Sequence, residues 1–125
     1  MILQDTILVI DDDIDLQTVL KESLMSAGFE VETASNGREG LEKAIEIKPN
    51  LILLDLVMPI MDGWEFLEKI GDDKWGQNAK IIILTNADDI DSLSRAIEEK
   101  GFEYLVKTEW KIGDVVEKIR TTLGS

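Results

Sequence analysis

Three aspartates, Asp11, Asp12 and Asp13, follow directly on the apolar run Ile7–Ile10, and Asp15 comes after Ile14. Asp55 sits near the end of a second apolar run, Leu51–Leu56; Thr85 follows Ile81–Leu84, and Lys107 follows Tyr104–Val106. Neighbouring carboxylates repel, and burial at the end of a strand adds to the cost of ionising them. A cation relieves both penalties. Two are on offer: the Lys107 ammonium and a divalent metal, for which carboxylate oxygens suit a hard ion such as Mg²⁺ or Ca²⁺. A carboxylate is also a nucleophile towards phosphorus. Phosphoryl transfer asks mainly for positioning and for positive charge near the equatorial oxygens, which a metal, an ammonium and a hydroxyl would provide.

These residues must be brought together by strands and helices. Four apolar runs, at 7–10, 51–56, 81–84 and 104–106, are rich in Ile, Leu and Val and bounded by polar residues, the pattern of strands covered on both faces. A fifth, Phe29–Ala34, alternates: Phe29 and Val31 point one way, Glu30 and Glu32 the other, as on an edge strand. Between the runs the apolar period is helical. The stripes are Leu16, Val19, Leu20 and Leu24, closed by Gly28; Leu41, Ala44 and Ile45, ended before Pro49; Trp64, Phe66, Leu67 and Ile70; Ile90, Leu93, Ala96 and Ile97, stopped by Gly101; and Val115, Val116, Ile119 and Leu123. Asp114 and Glu117 have capping-box spacing, which predicts that the last helix starts at Asp114. The Gly- and Asp-rich stretch 71–80 is expected to be loose. The reading is an α/β fold, (βα)5, with a parallel sheet, right-handed crossovers and helices on both faces.

The 125 residues suit one domain. Thirteen Lys and Arg against 26 Asp and Glu give a net charge of −13, which argues against nucleic-acid binding and against an anionic membrane surface. With no Cys and no His, disulfides, thiolate metal sites and histidine general bases are excluded. No apolar run approaches the ~20 residues of a membrane span, and the N-terminus MILQDTILVI lacks the basic start of a signal peptide. A cytoplasmic protein is expected.

In open α/β sheets ligands bind beyond the carboxyl ends of the strands, where Asp11, Asp12, Asp55, Thr85 and Lys107 all fall. With the acidic pair Asp11-Asp12, "LLDLVMPIMDG" (53–63), "ILTNA" (83–87) and "YLVK" (104–107), the chain resembles the receiver domain of two-component response regulators, of the stand-alone chemotaxis type. The resemblance covers essentially all of residues 1–125. It implies a flavodoxin-like doubly wound parallel sheet of five strands in the order 2-1-3-4-5, which makes strands 1 and 3 neighbours. It also implies roles. Asp55 would be the phosphoacceptor. Asp12 would bind Mg²⁺ directly, Asp11 mainly through water, and the Val57 carbonyl would be a further ligand. Thr85 and Lys107 would hold phosphoryl oxygens, and Tyr104 would be the aromatic whose rotamer follows Thr85. A histidine kinase or phosphotransfer protein would be the donor, and output would be by protein contact from a monomer or weak dimer.

Three features depart from that family's pattern. Thr108 stands where a proline, joined by a cis bond, usually follows the Lys; a cis bond to Thr costs ~3–4 kcal/mol, so trans is expected. The segment 107–119 is one residue longer than usual, and without the proline 108–111 is expected to hold less fixed structure. Asn86 replaces a small residue. Two alternatives stand beside the leading reading: a degenerate receiver acting as a constitutive interaction module, and a haloacid-dehalogenase-type phosphatase using Asp11 and Asp13.

Overall fold

The apolar runs pair as five parallel strands in the order β2–β1–β3–β4–β5. The computed structural model describes residues 4–58, 60–86 and 90–124, with only the backbone for 90–93 and 96. Its elements are β1 (Thr6–Ile10), α1 (Ile14–Ser26), β2 (Glu30–Ala34), α2 (Gly37–Ile47), β3 (Leu51–Asp55), α3 (Gly63–Gly71), a 3-10 turn at Gly76–Asn78, β4 (Ile81–Thr85), α4 (Ile90–Glu99), β5 (Glu103–Val106) and α5 (Ile112–Leu123). This is the flavodoxin-like arrangement, with β2 and β5 at the edges. Met1–Leu3, Pro59 and Ala87 lie outside the described residues, as do the side chains of Ile90, Leu93 and Ala96.

Successive residues of a strand face opposite sides of the sheet, so the continuous apolar runs feed two cores. Leu8, Ile10, Ile52, Leu54 and Ile83 pack with Ala44, Phe66, Ile70 and Ile97 of α2, α3 and α4. Ile7, Val9, Leu51, Leu53, Ile82 and Leu84 pack with Leu20 and Leu24 of α1 and Val115 and Ile119 of α5. All the strand residues just named are buried, most completely, and each such side chain contributes about 1.5–3 kcal/mol.

The helix boundaries follow local chemistry. Asp13, Asn36 and Asp62 cap α1, α2 and α3, each accepting a backbone N–H three residues on. Gly28, with φ 102°, follows the α1 C-cap Ala27 and takes the left-handed conformation that ends the helix. Lys48 ends α2 in that conformation (φ 53°).

Three expectations are corrected. Val19 and Ile45 are exposed, and the third core position of α1 is Gln17. Helix α5 starts at Ile112, not Asp114; Asp114 lies one turn in and reaches back to the Lys111 N–H at 3.0 Å. The stretch 71–80 is built rather than loose. Asp73 Oδ1 accepts from the N–H groups of Trp75 and Gly76, and Trp75 and Ala79 pack against the core.

Two glycines of α3 should respond oppositely to alanine. A Cβ on Gly63 would lie 2.6 Å from the Asp55 carbonyl oxygen and 2.6 Å from Leu56 Cα, whereas at Gly71 it would meet nothing within 4 Å. Urea unfolding should show Gly63→Ala destabilised by about 1–3 kcal/mol through overpacking, and Gly71→Ala unchanged or stabilised by up to ~1 kcal/mol through helix propensity. Equal effects would mean the α3 N-terminus is not packed on the end of β3.

Candidate functional site

The order β2–β1–β3–β4–β5 places the ends of β1 and β3 side by side, with Ile10 paired to Leu54. Asp11 therefore emerges next to Asp55. Asp11, Asp12 and Asp55 each offer an oxygen within 4.8 Å of the others. Asp11 and Asp55 are buried and Asp12 is exposed. On the other side, the Thr85 carbonyl accepts the Lys107 N–H at 2.7 Å, carrying the sheet ladder one step past β5. The Lys107 ammonium reaches back to Asp11 Oδ2 at 2.8 Å and to Asp55 Oδ2 at 3.4 Å. Among the described residues Asp11 Oδ2 takes no neutral donor; its partner is that ammonium.

Local turns hold the carboxylates. Asp11 Oδ1 accepts the Asp13 N–H at 2.9 Å, so one carboxylate oxygen braces its own loop while the other faces Lys107. Asp55 Oδ1 accepts the Val57 N–H at 3.2 Å. Gly63, without a side chain, closes the β3–α3 connection, donating to the Leu56 carbonyl at 2.9 Å. Thr85 is buried at the end of β4, and among the described residues its hydroxyl has one long contact, 3.4 Å, to the Asn86 carbonyl. A good O–H···O bond is ~2.8 Å, so this hydroxyl is free to turn to a better acceptor. Tyr104 is half-buried on β5, opposite Ile83. It packs on the α2, α3 and α4 side of the sheet, the side Thr85 faces by strand alternation.

The Lys107–Thr108 bond is trans; no described peptide bond is cis. A turn takes over the placement of Lys107: the Glu109 N–H donates to the Val106 carbonyl at 3.0 Å, with Lys107 and Thr108 at its centre. Trp110 then packs with the α1 and α5 core. A hydrogen-bonded turn and a partly buried aromatic thus stand where the family has its proline.

The charges do not balance. Three carboxylates face one ammonium, a formal excess of two negative charges. Burial, reinforced by the charge of Asp11, pushes Asp55 up to about 6, although Lys107 and the Val57 N–H oppose the rise. Burial presses Lys107 down, but its bond to Asp11 and the charges of Asp11 and Asp55 outweigh this and hold it above the usual lysine range. Converging oxygen donors with two uncompensated charges are the donor set a hard divalent cation requires. Asp13 takes no part: its side chain caps α1.

Sequence reasoning missed Gln17. It is buried, and its amide donates to the Asp11 carbonyl, to the Ala34 carbonyl at 3.1 Å and to Ser35 Oγ at 3.2 Å. The signal was legible: positions 17, 20 and 24 have helical core spacing. Val19 drew the assignment by hydrophobicity alone.

A pH dependence follows from Asp55. Its pKa rises from 3.8 to about 6 on folding, so between those values the folded chain binds more protons than the unfolded one. Stability must then fall as pH rises through that window, by up to about 3 kcal/mol for this group. In metal-free buffer Asp55→Asn should flatten the decline between pH 4 and 6 and melt higher than wild type at pH 7.5. Parallel profiles for the two proteins would show that Asp55 is not strained by its neighbours.

Residues 7–120 match the family model of the response regulator receiver domain. The chain is 34% identical to the chemotaxis protein CheY of Thermotoga maritima, over 81% of this chain and 83% of that protein. It is 31% identical to the transcriptional regulatory protein HprR of Escherichia coli strain K12, over 94% of this chain and 51% of HprR; the chain spans about half the length of several such regulators. Among solved structures, the receiver domain of the sensor histidine kinase PA1611 from Pseudomonas aeruginosa PAO1, which has a magnesium ion coordinated in its active-site cleft, superposes with a TM-score of 0.86. It is 26% identical, covering 98% of this chain and all of that one. The strand order, the acidic cluster at the ends of β1 and β3, and these likenesses agree: the chain belongs to the response regulator receiver domain family.

Proposed function

We propose that this receiver accepts a phosphoryl group on Asp55 from a histidine kinase or phosphotransfer protein. One observation carries the reading: a buried carboxylate at the end of β3 has an ammonium 3.4 Å away and two further carboxylates within 4.8 Å. In the transfer, an Asp55 oxygen forms a bond to phosphorus as the bond from phosphorus to the donor's imidazole nitrogen breaks, and the electron pair leaves with that nitrogen. Lys107 holds charge on the phosphoryl group, and the Thr85 hydroxyl turns to donate to one of its oxygens. Tyr104 shares the face on which that turn is felt.

Mg²⁺ fits the donor set. Asp12 would hold it directly, Asp11 mainly through water, and Asp55 and the Val57 carbonyl would complete the protein's share; bound there, it neutralises negative charge as the phosphoryl group moves. Asp12 is exposed and free of the ion pair that engages Asp11, which supports the division between them. The phosphatase alternative needs Asp13 beside the reacting group, but Asp13 Oδ1 is engaged at the α1 N-terminus.

The reading extends to a unit of one domain that signals in the cytoplasm by protein contact and turns over no substrate beyond its own phosphoryl group. Among the described residues no helix is long and apolar enough to cross a membrane.

With Mg²⁺ and a small-molecule phosphodonor, mass spectrometry should find one phosphoryl group on Asp55, lost at high pH and absent in Asp55→Asn. Labelling of Asp11 or Asp13 in that variant would replace the acceptor reading with the phosphatase one. In Mg²⁺ titrations Asp12→Asn should weaken binding at least tenfold and Asp13→Ala less than twofold; equal losses would contradict the ligand assignment.

A further inference from the structure

We infer that Gln17 is a positioning residue for the metal-binding carboxylates, acting through the peptide plane between Asp11 and Asp12. The inference rests on the proposed Mg²⁺ role of this site and adds to it the residue that holds Asp12 in place.

Asp12 has an exposed side chain that makes no hydrogen bond or ion pair among the described residues, so the backbone sets where it leaves the turn. A peptide unit is planar, so the carbonyl of Asp11 and the N–H and Cα of Asp12 turn as one body. The Gln17 amide donates to that carbonyl. The same amide lies against the Ala34 carbonyl at 3.1 Å and Ser35 Oγ at 3.2 Å, so the plane is tied to the far end of β2. The Asp11 N–H donates to the same Ala34 oxygen at 3.0 Å, and the Gln17 N–H donates to the Asp13 carbonyl at 3.0 Å. Asp11 is thus clamped on both sides of its Cα, and the turn carrying Asp12 closes onto the helix that carries Gln17.

The residue type is chosen by its neighbours. Two carbonyl oxygens, which can only accept, and a hydroxyl converge on the amide nitrogen, so the group between them must donate. A buried carbonyl left without a donor rotates towards another partner or towards water, and here that rotation would swing Asp12. An apolar side chain in this place would fill the space equally well and hold nothing. Gln17 touches neither the metal position nor the reacting carboxylate oxygens; its effect passes through the backbone, as with outer-shell groups of metal sites, whose loss typically costs 10–100-fold in affinity.

Four proteins test this: wild type, Gln17→Met, Asp12→Asn and Leu24→Ala. Gln17→Met keeps length and volume and removes the donors. Leu24→Ala truncates a buried residue on the same helix and controls for general loosening of α1. Mg²⁺ affinity is measured by calorimetric titration of the unphosphorylated proteins, the fold by thermal melting, and the clamp by amide hydrogen exchange at Asp12 and Asp13 without metal. Gln17→Met should bind Mg²⁺ about tenfold more weakly and exchange faster at Asp12 and Asp13. Leu24→Ala should lower the melting temperature more and leave Mg²⁺ affinity within twofold. If Asp12→Asn weakens Mg²⁺ while Gln17→Met does not, or if Leu24→Ala weakens it equally, the positioning role is overturned and the metal assignment stands. If wild type shows no Mg²⁺ binding, or Asp12→Asn leaves it unchanged, the metal assignment falls and the inference with it. Should Gln17→Met fail to fold, Gln17→Asn, whose amide falls one methylene short of the Asp11 carbonyl, carries the same expectation and the same refutation.

Discussion

The crowding of Asp11, Asp12 and Asp55 around one ammonium is the constraint on which the rest of the site depends. The crowding comes from topology. Strands β1 and β3 are separated in the chain by α1, β2 and α2 and are neighbours in the sheet, so two carboxylates 44 positions apart are pressed together where two buried strands end. Repulsion and desolvation there oppose folding, and the buried strands beneath offset them. Each of the central strands β1, β3 and β4 is covered on both faces, so the scaffold holds an electrostatically unfavourable edge that is only partly compensated locally.

Lys107 shows how little relief the chain supplies by itself. Its ammonium sits closer to Asp11 than to Asp55, so in this state it serves mainly the buried carboxylate of the acidic pair. Asp55 keeps a raised affinity for protons. The site is therefore short of positive charge in a way that a divalent cation corrects, and a phosphoryl group arriving on Asp55 would bring new oxygens for Lys107 and Thr85. On the proposed function, metal, proton and phosphoryl group would all act on this one small set of charges.

The connection after β5 reaches a common end by its own route. In place of a proline-set bend, the chain closes a turn from Val106 to Glu109 and seats Trp110 against the core beneath α1 and α5. Neither the hydrogen bond nor the aromatic contact depends on a proline at 108.

Much was legible in the sequence because it rests on short-range rules. Strands covered on both faces read as continuous apolar runs, helices as 3.6-residue stripes, and the carboxyl ends of strands in an open α/β sheet are where polar residues do chemistry. Asp11, Asp12, Asp55, Thr85 and Lys107 could be singled out on that basis. What failed depended on which groups a neighbour leaves unsatisfied. Hydrophobicity favours Val19 over Gln17 as a core position, because it cannot show that the Asp11 and Ala34 carbonyls and Ser35 Oγ converge on one helical position. The stretch 71–80 read as loose because Gly and Asp are turn formers. Only the packed structure shows Asp73 bracing it and Gly76 admitted where a Cβ would strike the Ile70 carbonyl at 2.0 Å. The sequence by itself determined the strands, most of the helices and the identity of the charged groups, since each depends on residues near in the chain. The tertiary structure decided which carboxylate Lys107 pairs with most closely, how far Asp55 is pushed towards its protonated form, and what holds the Asp11–Asp12 peptide in place. Those outcomes are set by distances and burial between residues far apart in sequence, and no local pattern encodes them.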